Sequence, residues 1–123
     1  MKRVLVIDDE LTIGELIKDY LDEVGYRTFV AMNAAAGLKL LEKEKPDLIL
    51  LDVLMPETGG LECLRRIKER QPDSLVIMMS ALQDEQIAKQ AIRRGAFDYI
   101  TKPFDLNYLH DQILARIFPE ESA

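Results

Sequence analysis

Short apolar runs that stop at acids alternate along the chain with stretches whose apolar residues recur every three or four positions. Arg3 to Ile7 (RVLVI) is a β-branched run ended by Asp8-Asp9-Glu10, the pattern of a strand buried on both faces. Between Glu10 and Val24, the residues Ile13, Leu16, Ile17, Tyr20, Leu21 and Val24 keep helical spacing. They predict an amphipathic helix that Gly25 stops, with Leu11 off the stripe. Tyr26 to Ala31 predicts a more polar strand at the sheet edge. Asn33 is a good N-cap for a helix to Lys45 with Leu38, Leu40 and Leu41 facing in, closed by Pro46. Asp47 to Asp52 (DLILLD) is the clearest strand. Pro56, Gly59 and Gly60 make Val53 to Gly60 a loop. A helix to Arg70 follows, with Leu61, Leu64 and Ile67 on one stripe, and Pro72-Asp73 turns the chain. Ser74 to Met79 (SLVIMM) is a further strand, and Asp84 caps a helix ending at Gly95. Phe97 to Thr101 is a short fifth strand, Lys102-Pro103 a break, and Asp105 to Phe118 a last helix carrying Leu106, Leu109, Ile113 and Ile117.

Strand and helix alternate five times, which argues for a parallel sheet covered by helices on both sides. Right-handed crossovers leave few topologies for such a sheet, and 2-1-3-4-5 is a common one. With 123 residues, 48% of them hydrophobic, the chain fits one domain with its own core. Its single cysteine, Cys63, excludes an internal disulfide and a cysteine metal cluster, and sets a reduced, cytoplasmic location as the expectation. The N-terminal apolar run is too short for a signal peptide or a membrane span. A net charge of −6 argues against direct nucleic-acid contact by this chain.

Ligands of an open parallel sheet bind at the carboxyl ends of its strands, near the point where strand order reverses. Here the first strand ends in Asp8-Asp9, the third in Asp52, the fourth in Ser80 and the fifth in Lys102. Any one of these is what a strand end commonly shows, since polarity begins there. Their convergence on one edge is a different matter. Clustered carboxylates repel one another unless a cation sits among them, and hard oxygen ligands with a water-rich shell suit Mg²⁺.

Asp8-Asp9, Asp52 within LLDVLMP, Ser80-Ala81, and Lys102-Pro103 after AFDYIT together resemble the receiver domain of bacterial two-component response regulators. The resemblance covers residues 2 to 118, with residues 119–123 a polar tail or the start of a linker. It implies a flavodoxin-like (βα)₅ fold with a doubly wound, five-stranded parallel sheet ordered 2-1-3-4-5. It also implies a signalling domain, not an enzyme acting on a separate substrate, that catalyses its own phosphorylation and dephosphorylation. By position, Asp52 is the phosphoacceptor, and Asp9, Asp52 and the backbone carbonyl of Leu54 bind Mg²⁺ (or Mn²⁺), with Asp8 helping through water. Lys102 pairs with Asp52 or the phosphoryl oxygens, Ser80 supplies a hydroxyl to them, and Ala81 leaves room for the group. Tyr99 matches the family's switch aromatic, Lys102-Pro103 its cis peptide, and Leu54 and Leu82 the positions that tune how long the phosphoryl group persists. The implied partners are a sensor histidine kinase or phosphotransfer protein, and a downstream output domain or protein reached through the surface of the fourth helix, fifth strand and last helix. Homodimerisation on phosphorylation is a further implication. Membrane and nucleic acid are not among the partners expected of this chain. The segment GLECLRRIKERQPDSLVIMMSA with GAFDYITKPF is most similar to receivers of enhancer-binding transcription activators, and stand-alone phosphorelay receivers look alike.

Thr58-Gly59 departs from the family pattern, which has a large apolar residue and then Asp before the glycine at position 60. Competing readings fail on the residues. A nucleotide-binding enzyme would need GxGxxG or GxxxxGK[ST], and neither occurs, while the acidic first turn repels phosphate. A flavodoxin would carry a Ser/Thr-rich loop at that turn. A haloacid-dehalogenase-type phosphatase would have Asp at position 54, where Leu54 stands. A phosphorylation-independent pseudo-receiver is opposed by the complete set of Asp8, Asp9, Asp52, Ser80 and Lys102. His110 reads as a boundary residue, Cys63 as packing, and Arg65-Arg66 and Arg93-Arg94 as solvated helix faces.

Overall fold

A computed structural model of the chain describes residues 1–119. Of the expected tail 119–123, all but Pro119 therefore lies outside the described residues. The chain alternates β1 (Arg3–Ile7), α1 (Leu11–Glu23), β2 (Arg27–Ala31), α2 (Ala34–Glu44), β3 (Leu48–Asp52), α3 (Gly60–Arg70), β4 (Leu75–Ser80), α4 (Glu85–Arg93) and β5 (Asp98–Thr101). A last helix follows in three consecutive stretches: α5 (Leu106–Tyr108), a π-helical stretch (Leu109–Leu114) and α6 (Ala115–Ile117). The five strands pair in parallel in the order β2-β1-β3-β4-β5.

Alternation along each central strand splits the core into two layers, because successive side chains point to opposite faces. Leu5, Ile7, Ile49, Leu51, Val76 and Met78 pack under α2, α3 and α4. Val4, Val6, Leu48, Leu50, Ile77 and Met79 pack under α1 and the last helix. Caps close the helices as the sequence predicts: the Asn33 side chain accepts from the Ala36 amide, and Asp84 from Gln86 and Ile87. Among the described residues no helix is long and apolar enough to cross a membrane.

The structure differs from the expected pattern in a few places. Tyr26 lies outside β2 and is core, and β5 starts one residue late with Phe97 exposed. Leu40 and Leu61 are half-buried. Leu16, on the predicted buried stripe of α1, is 56% exposed. The expected uninterrupted α-helix over Asp105 to Phe118 contains the π-helical stretch instead.

The connection from β3 to α3 is tight. Glu57 adopts a left-handed conformation with φ 64°, the region that favours glycine. Gly60 packs directly on the end of β3: a Cβ there would stand 2.2 Å from the Asp52 carbonyl oxygen and 2.6 Å from the Val53 Cα. The Gly60 amide donates to the Val53 carbonyl at 2.9 Å. This close approach fixes the strand end that carries Asp52.

Candidate functional site

Register brings the strand ends level. Ile7 is opposite Leu51, Asp52 opposite Met79 and Ser80 opposite Thr101, so the residues that close β1, β3, β4 and β5 meet on one edge. Backbone bonds continue the ladder past the strands: the Asp8 amide donates to Ala31 O, Val53 to Met79 O and Lys102 to Ser80 O, at 2.7 to 3.0 Å. β1 and β3 are neighbours, and ligand oxygens of Asp8, Asp9 and Asp52 lie within 4.8 Å of one another. Asp8 and Asp52 are buried and Asp9 is half-buried.

Lys102 reaches this cluster from the end of β5. Its Nζ lies 2.6 Å from Asp8 Oδ2, 3.5 Å from Asp52 Oδ1 and 3.7 Å from Glu10 Oε1. Asp8 is therefore its nearest partner, and the pair with Asp52 is also formed at longer range. Asp8 also accepts from the Glu10 amide at 2.9 Å. Burial works against the Lys102 charge, but the carboxylates of Asp8, Asp52 and Glu10 outweigh it and hold its pKa above the ordinary value. Burial, then the Asp8 charge, push Asp52 up to about 7, against the opposing pull of Lys102 and the Leu54 amide. One ammonium thus does not neutralise the acids, and the oxygen-only donor set fits a hard divalent cation.

On the neighbouring strand, Ser80 is fully buried and its Oγ accepts from the Leu82 amide at 3.0 Å. The Tyr99 hydroxyl donates to the Leu82 carbonyl at 2.9 Å, so one peptide segment ties Ser80 to Tyr99. Ala81 is exposed, Leu82 half-buried and Leu54 54% exposed. The Lys102-Pro103 peptide is cis. Glu10 was missed as a partner of Lys102; its one signal was its place directly after Asp8-Asp9. A cavity of about 320 Å³ opens beside Lys102, with Ile13, Leu16, Phe104 and Leu106 among its walls, which accounts for the outward position of Leu16.

The family model of the response regulator receiver domain matches residues 4–114. This chain belongs to that family. As a receiver domain it has a phosphoacceptor role in two-component signalling, and its sheet order is that of the flavodoxin-like fold. It is 39% identical over 113 residues to the transcriptional regulatory protein CrdR of Helicobacter pylori, covering 91% of this chain and 53% of that protein. It is 33% identical over 112 residues to the sporulation initiation phosphotransferase F of Bacillus subtilis, covering 91% of this chain and 90% of that one. A crystal structure of a response regulator from Burkholderia pseudomallei, with a phosphorylated aspartic acid, calcium ion and citrate, superposes with a TM-score of 0.85. It is 29% identical, and the match covers 99% of the receiver and 69% of that chain. The receiver spans only about half of the length of the Helicobacter regulator.

Proposed function

We propose that Asp52 accepts a phosphoryl group from a phosphohistidine on a sensor kinase or phosphotransfer protein, and that the domain catalyses this transfer and the later hydrolysis. The convergence of Lys102, Asp8 and Asp9 on the Asp52 carboxyl carries the reading. In the transfer, an Asp52 oxygen attacks phosphorus in line, the P–N bond to the donor imidazole breaks, and its electron pair returns to the ring nitrogen. Such a reaction asks mainly for positioning and for charge on the equatorial oxygens. Lys102 brings a fixed positive charge, held at the site by Asp8. Asp9, Asp52 and the Leu54 carbonyl would hold Mg²⁺ or Mn²⁺, with Asp8 acting through water. Bound there, the cation would neutralise charge on the phosphoryl oxygens and keep Asp52 ionised. The phosphorylated aspartic acid and calcium of the Burkholderia regulator support both halves of this reading.

The Ser80 hydroxyl is placed to turn from the Leu82 amide to a phosphoryl oxygen. That exchange frees one end of the Leu82 segment, whose other end Tyr99 grips, and so passes the change to the β5 surface. Residues 1 to 118 form the responding unit. The donor approaches over the apolar cavity beside Lys102, and an output domain or protein reads the switched face. Incubation with acetyl phosphate and Mg²⁺ tests the function: acid-labile phosphate accumulates on a phosphoacceptor, and none accumulates on a phosphorylation-independent receiver.

Two further expectations concern the same site. Asp9→Ala weakens Mg²⁺ by at least about tenfold in a titration, since few protein ligands share the ion; undiminished affinity would remove Asp9 from the set. Leu54 and Leu82 shield the path of the water that hydrolyses the acyl phosphate, because leucine neither binds nor orients it. Leu54→Asn with Leu82→Glu shortens the lifetime of the purified phosphoprotein by about tenfold. Equal decay of variant and wild type would show that the leucines do not gate the water.

A further inference from the structure

At Thr28 the outer edge of β2 is held by two side chains of α1. Arg27 turns its amide inward, onto the Lys2 carbonyl at 2.9 Å. The alternation of a parallel ladder therefore turns the backbone groups of Thr28 away from β1, toward the open side of the sheet. Both of these groups are occupied. The Thr28 amide donates to Asp22 Oδ1 at 2.9 Å, and Lys18 Nζ donates to the Thr28 carbonyl at 3.2 Å. Lys18 and Asp22 are themselves joined at 2.6 Å, one helical turn apart on α1. Burial alone would raise the Asp22 pKa, but the bonds from Lys18 and Thr28 prevail and lower it, so the clasp stays ionised at neutral pH.

A groove of about 580 Å³ runs beside this clasp, with Phe29, Val30 and Leu40 in its wall. The guanidinium of Arg27 lies over the Phe29 ring, 5.5 Å from its centroid. A β-branched and aromatic strand with outward amides and an adjoining groove is what another strand adds to most readily. We propose that the Lys18–Asp22 clasp, by occupying the outward backbone groups of Thr28, hinders strand addition to the β2 edge by a second copy of this chain. An incoming strand has to displace the clasp from Thr28 before it gains its own bonds there, and each displaced bond offsets part of that gain.

The test is self-association by analytical ultracentrifugation of Lys18→Ala with Asp22→Ala, against wild type, at low and high protein concentration. Both clasp side chains are 38% exposed, so the double variant retains the core. It is expected to self-associate about tenfold more tightly, the worth of two surface hydrogen bonds. Lys18→Ala alone, which frees only the carbonyl, gives a smaller shift in the same direction. Adding Thr28→Pro to the double variant removes the outward amide and is expected to return association to the wild-type level, even at some cost in stability. A double variant that associates no more than wild type overturns the proposal. Association that persists with proline at position 28 also overturns it, because it would then arise from partial unfolding and not from the edge.

Discussion

Asp52→Asn is expected to abolish phosphoryl transfer while making the metal-free domain more stable at alkaline pH. Loss of transfer follows because asparagine has no anionic oxygen to attack phosphorus. The stability gain follows from the raised pKa. In the fold, Asp52 holds its proton up to about 7, against an ordinary value of 3.8. Between these values the folded state binds more protons than the unfolded chain, so stability falls as pH rises through the window and stays lowered above it. Asparagine has no such dependence and keeps an oxygen for the Leu54 amide. In urea titrations with a chelator, the variant should exceed wild type by about 1–2 kcal/mol at pH 8. The difference should close as the pH falls toward 4. Phosphate uptake at the wild-type rate, or a variant less stable than wild type at pH 8, would contradict this account of Asp52.

The second large effect is on the scaffold. Gly60→Ala places a methyl group 2.2 Å from the Asp52 carbonyl oxygen and 3.0 Å from its carbonyl carbon. These are backbone atoms of a strand buried on both faces, and they cannot rotate away as a side-chain tip would. Either α3 shifts from the sheet or the end of β3 moves with Asp52. A loss of about 3 kcal/mol is expected by urea denaturation, with slower phosphorylation of the fraction that folds. Gly59→Ala is the control: the nearest atom to its Cβ is 3.9 Å away, so its stability should stay within about 0.5 kcal/mol of wild type. Equal losses at both positions would mean that the loop, and not the contact with Asp52, requires glycine.

The alternation of strands and helices was legible because each central strand is a continuous apolar run and each helix carries a stripe or a cap. The acids and Lys102 were legible because a parallel sheet gathers its strand ends, so polar residues placed there by sequence meet in space. What escaped depends on distances that periodicity does not encode. Leu16 keeps the helical spacing of a core residue, yet it stands at the rim of the cavity beside Lys102; an apolar stripe does not separate core from an exposed binding wall. The π-helical stretch was hidden because Leu106, Leu109, Ile113 and Ile117 satisfy ordinary helical spacing. The choice of Asp8 over Asp52 as the nearest partner of Lys102 is a matter of an ångström. The hold of Tyr99 on Leu82 joins a residue within β5 to the loop after β4. Neither leaves a mark in spacing.

Chemical mapping of the modified residue tests the central claim most directly. The wild-type chain is incubated with acetyl phosphate and Mg²⁺, and the acyl phosphate is reduced with borohydride, which converts a phosphorylated aspartate to homoserine. The digested protein is then sequenced by mass spectrometry. The account predicts homoserine at position 52 and aspartate retained at positions 8 and 9. Homoserine at another acid, or none at all in a chain that remains folded, would contradict it.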